Sequence, residues 1–138
     1  MKGVLLQAMV ALCALCAGCG VTALVTDLSR NTTEVSKVKL SPSRGKLTIL
    51  HGGATRTVRL KDVEKIVVYP HGTRNAGGKL YYQAEVILDD GTRIGFSDPS
   101  AGKPADAFVC IDGSLRGRAE GGTYQITFDK VSQIEIRE

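Results

Sequence analysis

The sequence predicts an all-β domain, a small antiparallel sandwich or barrel with an internal repeat. Three observations predict it. Apolar residues after residue 45 recur with period two, as in Leu47 and Ile49, Val58 and Leu60, Ile66 and Val68, and Tyr124, Ile126 and Phe128. Glycine-rich turns separate these runs, at Gly52-Gly53, Gly77-Gly78, Asp90-Gly91 and Gly121-Gly122. Residues 45–68 also align without a gap on residues 113–136. Gly45, Leu47, Gly53, Thr55, Val63 and Ile66 recur there as Gly113, Leu115, Gly121, Thr123, Val131 and Ile134. The 138 residues suffice for one domain and an appendage. Hydrophobic content of 43% and charged content of 23% exclude wholesale disorder.

The appendage comes first. Met1-Lys2-Gly3 supplies a basic start, and Val4 to Leu15 is apolar apart from Gln7. Cys16-Ala17-Gly18-Cys19 then places small residues at the exit. This order is that of a secretory signal peptide over residues 1–18. The exit resembles the lipobox of bacterial lipoproteins, in which an aliphatic residue and two small residues precede a cysteine. Ala17 and Gly18 take the small positions, Cys16 stands where Leu is usual, and Cys19 takes the lipid-bearing position. The resemblance covers the first 19 residues. It implies lipidation of Cys19, removal of residues 1–18 and anchorage of the chain to a membrane of the bacterial envelope. Gly20, in place of Asp, implies the outer membrane in a Gram-negative host. The alternative is an uncleaved signal anchor, with the apolar stretch continued to Val25 and long enough to span about 30 Å.

Residues 19–44 read as a lipidated N-terminus and tether, with Asn31-Thr32-Thr33 and Ser41-Pro42-Ser43 as loop chemistry. Val35, Val38 and Leu40 could form a weak first strand. A flexible tether of about 20 residues would reach about 25 Å. The β-domain is expected over residues 45–138. Each repeat unit reads as strand, glycine turn, strand, tight corner and short strand, and the one plausible short helical turn lies near Asp62 or Lys130. Between the units, Leu80, Tyr82, Ala84, Val86 and Leu88 share one face of a strand, opposite Tyr81, Gln83, Glu85 and Ile87. A three-residue turn ending at Gly91 would pair Val86 with Ile94 and Ala84 with Phe96. A one-residue slip would reverse every face. The expected core contains Tyr82, Val86, Ile94, Phe96, Ile126, Phe128 and Ile134.

The chemistry is sparse. Cys13, Cys16 and Cys19 lie in the leader, which leaves Cys110 as a buried structural thiol in Phe108-Val109-Cys110-Ile111. The two histidines, His51 and His71, adjoin glycines in turns, and spacing supplies no third metal ligand. Asp89, Asp90, Asp98, Asp106 and Asp112 lack the order of a compact calcium loop. No nucleophile–base constellation or phosphate loop occurs, so neither an enzyme nor a cofactor is expected. The net charge of +4 is scattered, without the dense basic and aromatic interleaving of a nucleic-acid binder. Two stretches, Pro70–Gly78 and Ser97–Asp106, are long for connections and form a candidate binding rim with Arg74, Asn75 and Lys103. The expected function is a non-enzymic binding or structural domain held at a membrane, with an envelope protein or peptidoglycan as partner. The alternative is a small periplasmic hydrolase or ligand-binding protein using Asp and His around the two stretches.

Overall fold

A computed structural model describes residues 20–40, 45–110 and 114–137. The expected signal peptide and lipidation site, residues 1–19, lie outside the described residues. Eleven strands occur among those described: β1 (Val21–Asp27), β2 (Thr32–Leu40), β3 (Lys46–His51), β4 (Ala54–Arg59), β5 (Val63–Ala76), β6 (Lys79–Leu88), β7 (Arg93–Ile94), β8 (Ala107–Cys110), β9 (Ser114–Ala119), β10 (Gly122–Thr127) and β11 (Val131–Arg137). All pairings are antiparallel. The order is β10-β9-β2-β1-β11-β5-β6-β8-β3-β4, with β7 also on β6. The path is open, ending at β10 and β4. Ala23, Val25, Ile49, Ile66, Val86, Val109, Leu115 and Ile134 are nevertheless wholly buried in one core. With no α-helix available among the described residues, the sheet must fold over and cover its own apolar face, as a sandwich does.

The repeat is realised. In each unit a hairpin leads into a one-turn 3-10 helix and then a strand: β3, β4, Leu60–Asp62 and β5, against β9, β10, Phe128–Lys130 and β11. Leu60 and Phe128 enter the core at equivalent corners, as do Val63 and Val131 one step later. The flanking backbone is extended at both corners, at Arg59 and Val63 and at Thr127 and Val131. β5 and β11 lie side by side, and Ile66 pairs with its own equivalent, Ile134. The sheet order therefore reads the same outward in both directions from this pair.

The symmetry recruits the N-terminus. Residues 20–40, expected as tether, instead contain β1 and β2, and Val25 and Val35 are fully buried. The expected boundary at residue 45 is corrected accordingly. β1 sits on β11 as β6 sits on β5, with Val25 opposite Ile134 and Val86 opposite Ile66. The turns after them match in their hydrogen bonds. Asp27 N–H donates to Asn31 O at 3.0 Å and Leu88 N–H to Thr92 O at 2.8 Å. Leu28 N–H donates to Lys130 O at 3.0 Å and Asp89 N–H to Asp62 O at 2.9 Å. Arg30 and Gly91 are left-handed at the same place, with φ of 67° and 90°. The N-terminal hairpin thus completes the second unit, because without it β11 and β9 would expose unpaired backbone and apolar side chains.

The hairpin register holds at Val86 and Ile94, but Ala84 pairs with Ala107, not Phe96. Of the expected core, Val86, Ile94, Phe128 and Ile134 are buried and Tyr82 and Ile126 half-buried. Phe96 is 39% exposed. Leu80 is exposed and Tyr81 buried, against the expected alternation, where β6 pairs with the part of β5 beyond its register shift. Cys110 is half-buried rather than buried, beside Thr48 and Tyr81.

Candidate functional site

Two segments break the internal symmetry, and both belong to the first unit. The first is an arm. β11 ends at Arg137, whose equivalent is Tyr69, yet β5 runs on to Ala76. Pro70–Gly78 is therefore not a long loop. It is a bulged continuation of β5 closed by Gly77-Gly78, both left-handed with φ of 59° and 77°. Pro70 sits at the bulge, where its missing N–H costs no ladder bond. A Cβ at Gly72 would overlap the Gln83 side chain, which fixes glycine where the arm crosses β6. Arg74 and Asn75 project from this arm opposite Tyr81 and Leu80, and both are exposed. The Arg74 guanidinium lies 5.8 Å from the centre of the Phe108 ring, which ties the arm to β8.

The second segment is an insertion. In the second unit β2 is continuous. In the first, the equivalent strand is split into β7 and β8 by Gly95–Asp106. Gly95, with φ of 74°, touches Ala107 so closely that a Cβ would overlap it, so the chain leaves and re-enters the sheet at one spot. Asp98 and Lys103 close the excursion through two backbone bonds of 2.8 and 2.9 Å around a 3-10 turn at Pro99–Ala101. The Ser100 hydroxyl donates to Asp98 at 2.6 Å and holds that exposed carboxyl below its ordinary pKa.

The insertion folds back over the outer face of β6. Gln83 Nε2 donates to Ala105 O at 2.6 Å, and Ala105 is buried. Ser97 N–H donates to Glu85 Oε2 at 3.3 Å. Glu85 is 7% exposed, with Arg93 Nε at 3.8 Å, and Arg93 stacks 4.4 Å from the centre of the Phe96 ring. The alternating pattern of β6 marks Gln83 and Glu85 as solvated. Their hydrogen-bond partners Ala105 and Ser97 lie in a segment that the alternation does not bring to them, so sequence reading missed them as supports of the site.

Lys103 is exposed at the neck of the insertion, and among the described residues no hydrogen bond or ion pair joins it to Arg74 or Asn75. The three predicted rim residues thus occupy two neighbouring structures, not one cluster. His51 Nε2 lies 3.2 Å from Asp106 Oδ1, with each side chain about half exposed. His71 is exposed on the arm. Among the described residues no group of three or more His, Cys, Asp or Glu could hold a metal ion. The assembly can present an exposed arginine, amide, lysine and aromatic ring on a pinned scaffold. Such a set suits recognition of a partner surface. Comparison of the chain with protein-family models, with curated proteins and with solved structures gives no match.

Proposed function

We propose that the chain is a non-enzymic bacterial envelope lipoprotein, anchored through lipid on Cys19, whose β-domain binds an envelope protein or peptidoglycan through the arm and the insertion. The polarity of three adjacent strands carries the reading. β1 starts at Val21, Thr22 pairs with Arg137 of β11, and Glu135 pairs with Lys65 of β5. The chain therefore enters β1 at one end of the sheet, and β5 runs from that same end to an arm at the opposite one. An anchor just before Gly20 would leave the arm directed away from the membrane. The strand at Val21 also supports lipidation over a signal anchor. It limits the apolar stretch to Val4–Cys19, shorter than the about 20 residues of a spanning helix. Gly20 packs on Lys37, where a Cβ would lie 3.0 Å from the Lys37 Cα, so a structural reason for glycine exists beside the sorting one.

Intact mass and detergent phase partitioning of wild type and Cys19→Ser test the anchor. The expected mature protein starts at Cys19, carries lipid and enters the detergent phase, whereas Cys19→Ser keeps residues 1–18. A wild-type membrane protein that retains residues 1–18 would contradict the reading. His51 beside Asp106 favours a second reading, a small hydrolase. It requires turnover that His51→Ala abolishes, and absence of any such turnover across ester, amide and glycoside substrates would dismiss it.

A further inference from the structure

The outer face of the second unit differs in charge from that of the first. Register places Lys39 opposite Arg116, Ser36 opposite Arg118 and Thr22 opposite Arg137, and all four basic side chains are exposed. Among the described residues no carboxylate lies within ion-pair distance of them. Their symmetry equivalents on β3 and β5 are uncharged: Thr48 for Arg116, Leu50 for Arg118 and Tyr69 for Arg137. The fold does not require these charges, since the same backbone positions serve the first unit without them. Lys37, exposed and left-handed with φ of 52°, adds a fifth cation beside Gly20. Acidic groups adjoin the edge of this face: Glu120 is exposed in the turn after β9, two residues beyond Arg118. Glu34 and Glu135 flank Leu24 further along the strands, with Lys65 opposite Glu135. Glu64 and Asp89 line a cleft on the far side of β11, with Lys61 and Ile136.

We infer that this face, formed by Lys37, Lys39, Arg116, Arg118 and Arg137, lies on the surface of an anionic phospholipid membrane. The inference rests on the anchored reading, because that reading sets what is near the face. The leader joins β1 through Gly20 alone, and Val21 is level with Val38. Lys37, Lys39, Arg116 and Arg137 therefore surround the point at which the chain would leave the bilayer. A lipid on Cys19 would hold them within a Debye length, about 8 Å at physiological salt, of the headgroups. At that distance each lysine or arginine favours an anionic surface measurably, and several together fix an orientation. The acidic cleft beyond β11 would be repelled, so the domain would tilt toward β2 and β9.

The full chain, purified from membranes and reconstituted in vesicles carrying a headgroup quencher, tests this. A fluorophore is placed at Gln125→Cys or Thr57→Cys, each in a Cys110→Ser background. The two sites are exposed symmetry equivalents, and only Gln125 adjoins Arg116. In vesicles with about one-third phosphatidylglycerol, quenching at Gln125→Cys is expected to exceed that at Thr57→Cys several-fold. The difference should vanish in phosphatidylcholine, in high salt, and in Lys39→Gln/Arg116→Gln/Arg118→Gln. Equal quenching at both sites in anionic vesicles would overturn the inference while leaving the anchor intact. If the chain proves unanchored, co-sedimentation with the same vesicles decides the matter. Salt-sensitive pelleting with anionic vesicles alone, weakened about a hundredfold by the triple substitution, would sustain the face. No pelleting would overturn it.

Discussion

At Gly95 the chain turns out of the sheet in the left-handed region, with its Cα against Ala107. Gly95→Ala combines left-handed strain with overlap against backbone, and should cost about 2–4 kcal/mol. Gly78→Ala, equally left-handed but in open space, should cost about 1 kcal/mol. Urea midpoints at unchanged m would separate the two, and equal losses would contradict the close contact. Two tyrosines set an alkaline limit. Burial, reinforced by Asp129, pushes the Tyr82 phenol above its ordinary 10.0. At Tyr124 burial and then Asp27 do the same, against a hydrogen bond with Thr33. The folded state holds these protons more tightly than the unfolded chain. Their contribution is therefore full below about pH 10 and is lost as pH rises through the folded-state values. Urea midpoints between pH 8 and 11 should fall less steeply for Tyr82→Phe/Tyr124→Phe than for wild type. Val86, Ile94, Phe128 and Ile134 were legible as core because regular alternation decides their side of the sheet. Phe96 was not, because it opens the insertion and leaves the ladder that its alternation implied.

The pairing of β5 with β11 joins the two units at Ile66 and Ile134, each wholly buried. Replacing either with Ala should cost about 2–5 kcal/mol. Because the two are in register contact, the double variant should depart from additivity by about 0.5 kcal/mol or more, and strict additivity would argue against a shared core. The insertion is separable in register. Ile94 faces Val86 and Ala107 faces Ala84, so joining Gly95 directly to Ala107 puts Gly95 opposite Glu85 and restores a strand like β2. Deletion of 96–106 should therefore leave a cooperatively folded β protein by circular dichroism and urea denaturation, and a molten product would contradict the proposed register. The repeat was legible because glycine turns and apolar alternation recur together in both units. β1 and β2 were not. The apolar N-terminal run continues into β1 without a break in composition. A register shift after Ser36, with left-handed Lys37, breaks the alternation of Val35, Val38 and Leu40. The arm resembled a loop because Pro70 and Gly72 mark a bulge with the same residues that mark a turn.

Across the whole molecule the chain entry and the basic face share one end of the sheet, the arm extends from the other, and the insertion covers the flank of the first unit. A duplicated scaffold needs neither addition for its core, which explains how residues outside the symmetry can serve a partner. Arg74, Asn75 and Lys103 were singled out through the length of their segments, and the structure shows both segments to be departures from the internal symmetry. Their supports, Gln83 and Glu85, were hidden because their partners Ala105 and Ser97 lie in the folded-back insertion, which alternation does not reveal. If partner binding resides in these asymmetric additions, in-cell crosslinking of the full chain should depend on them. Wild type is compared with the 96–106 deletion and with Arg74→Ala/Asn75→Ala/Lys103→Ala, each checked for membrane attachment and cooperative unfolding. One recurrent envelope protein or peptidoglycan adduct is expected for wild type, with its loss in both variants while fold and membrane attachment persist. The same adduct, undiminished in both variants, would contradict that reading.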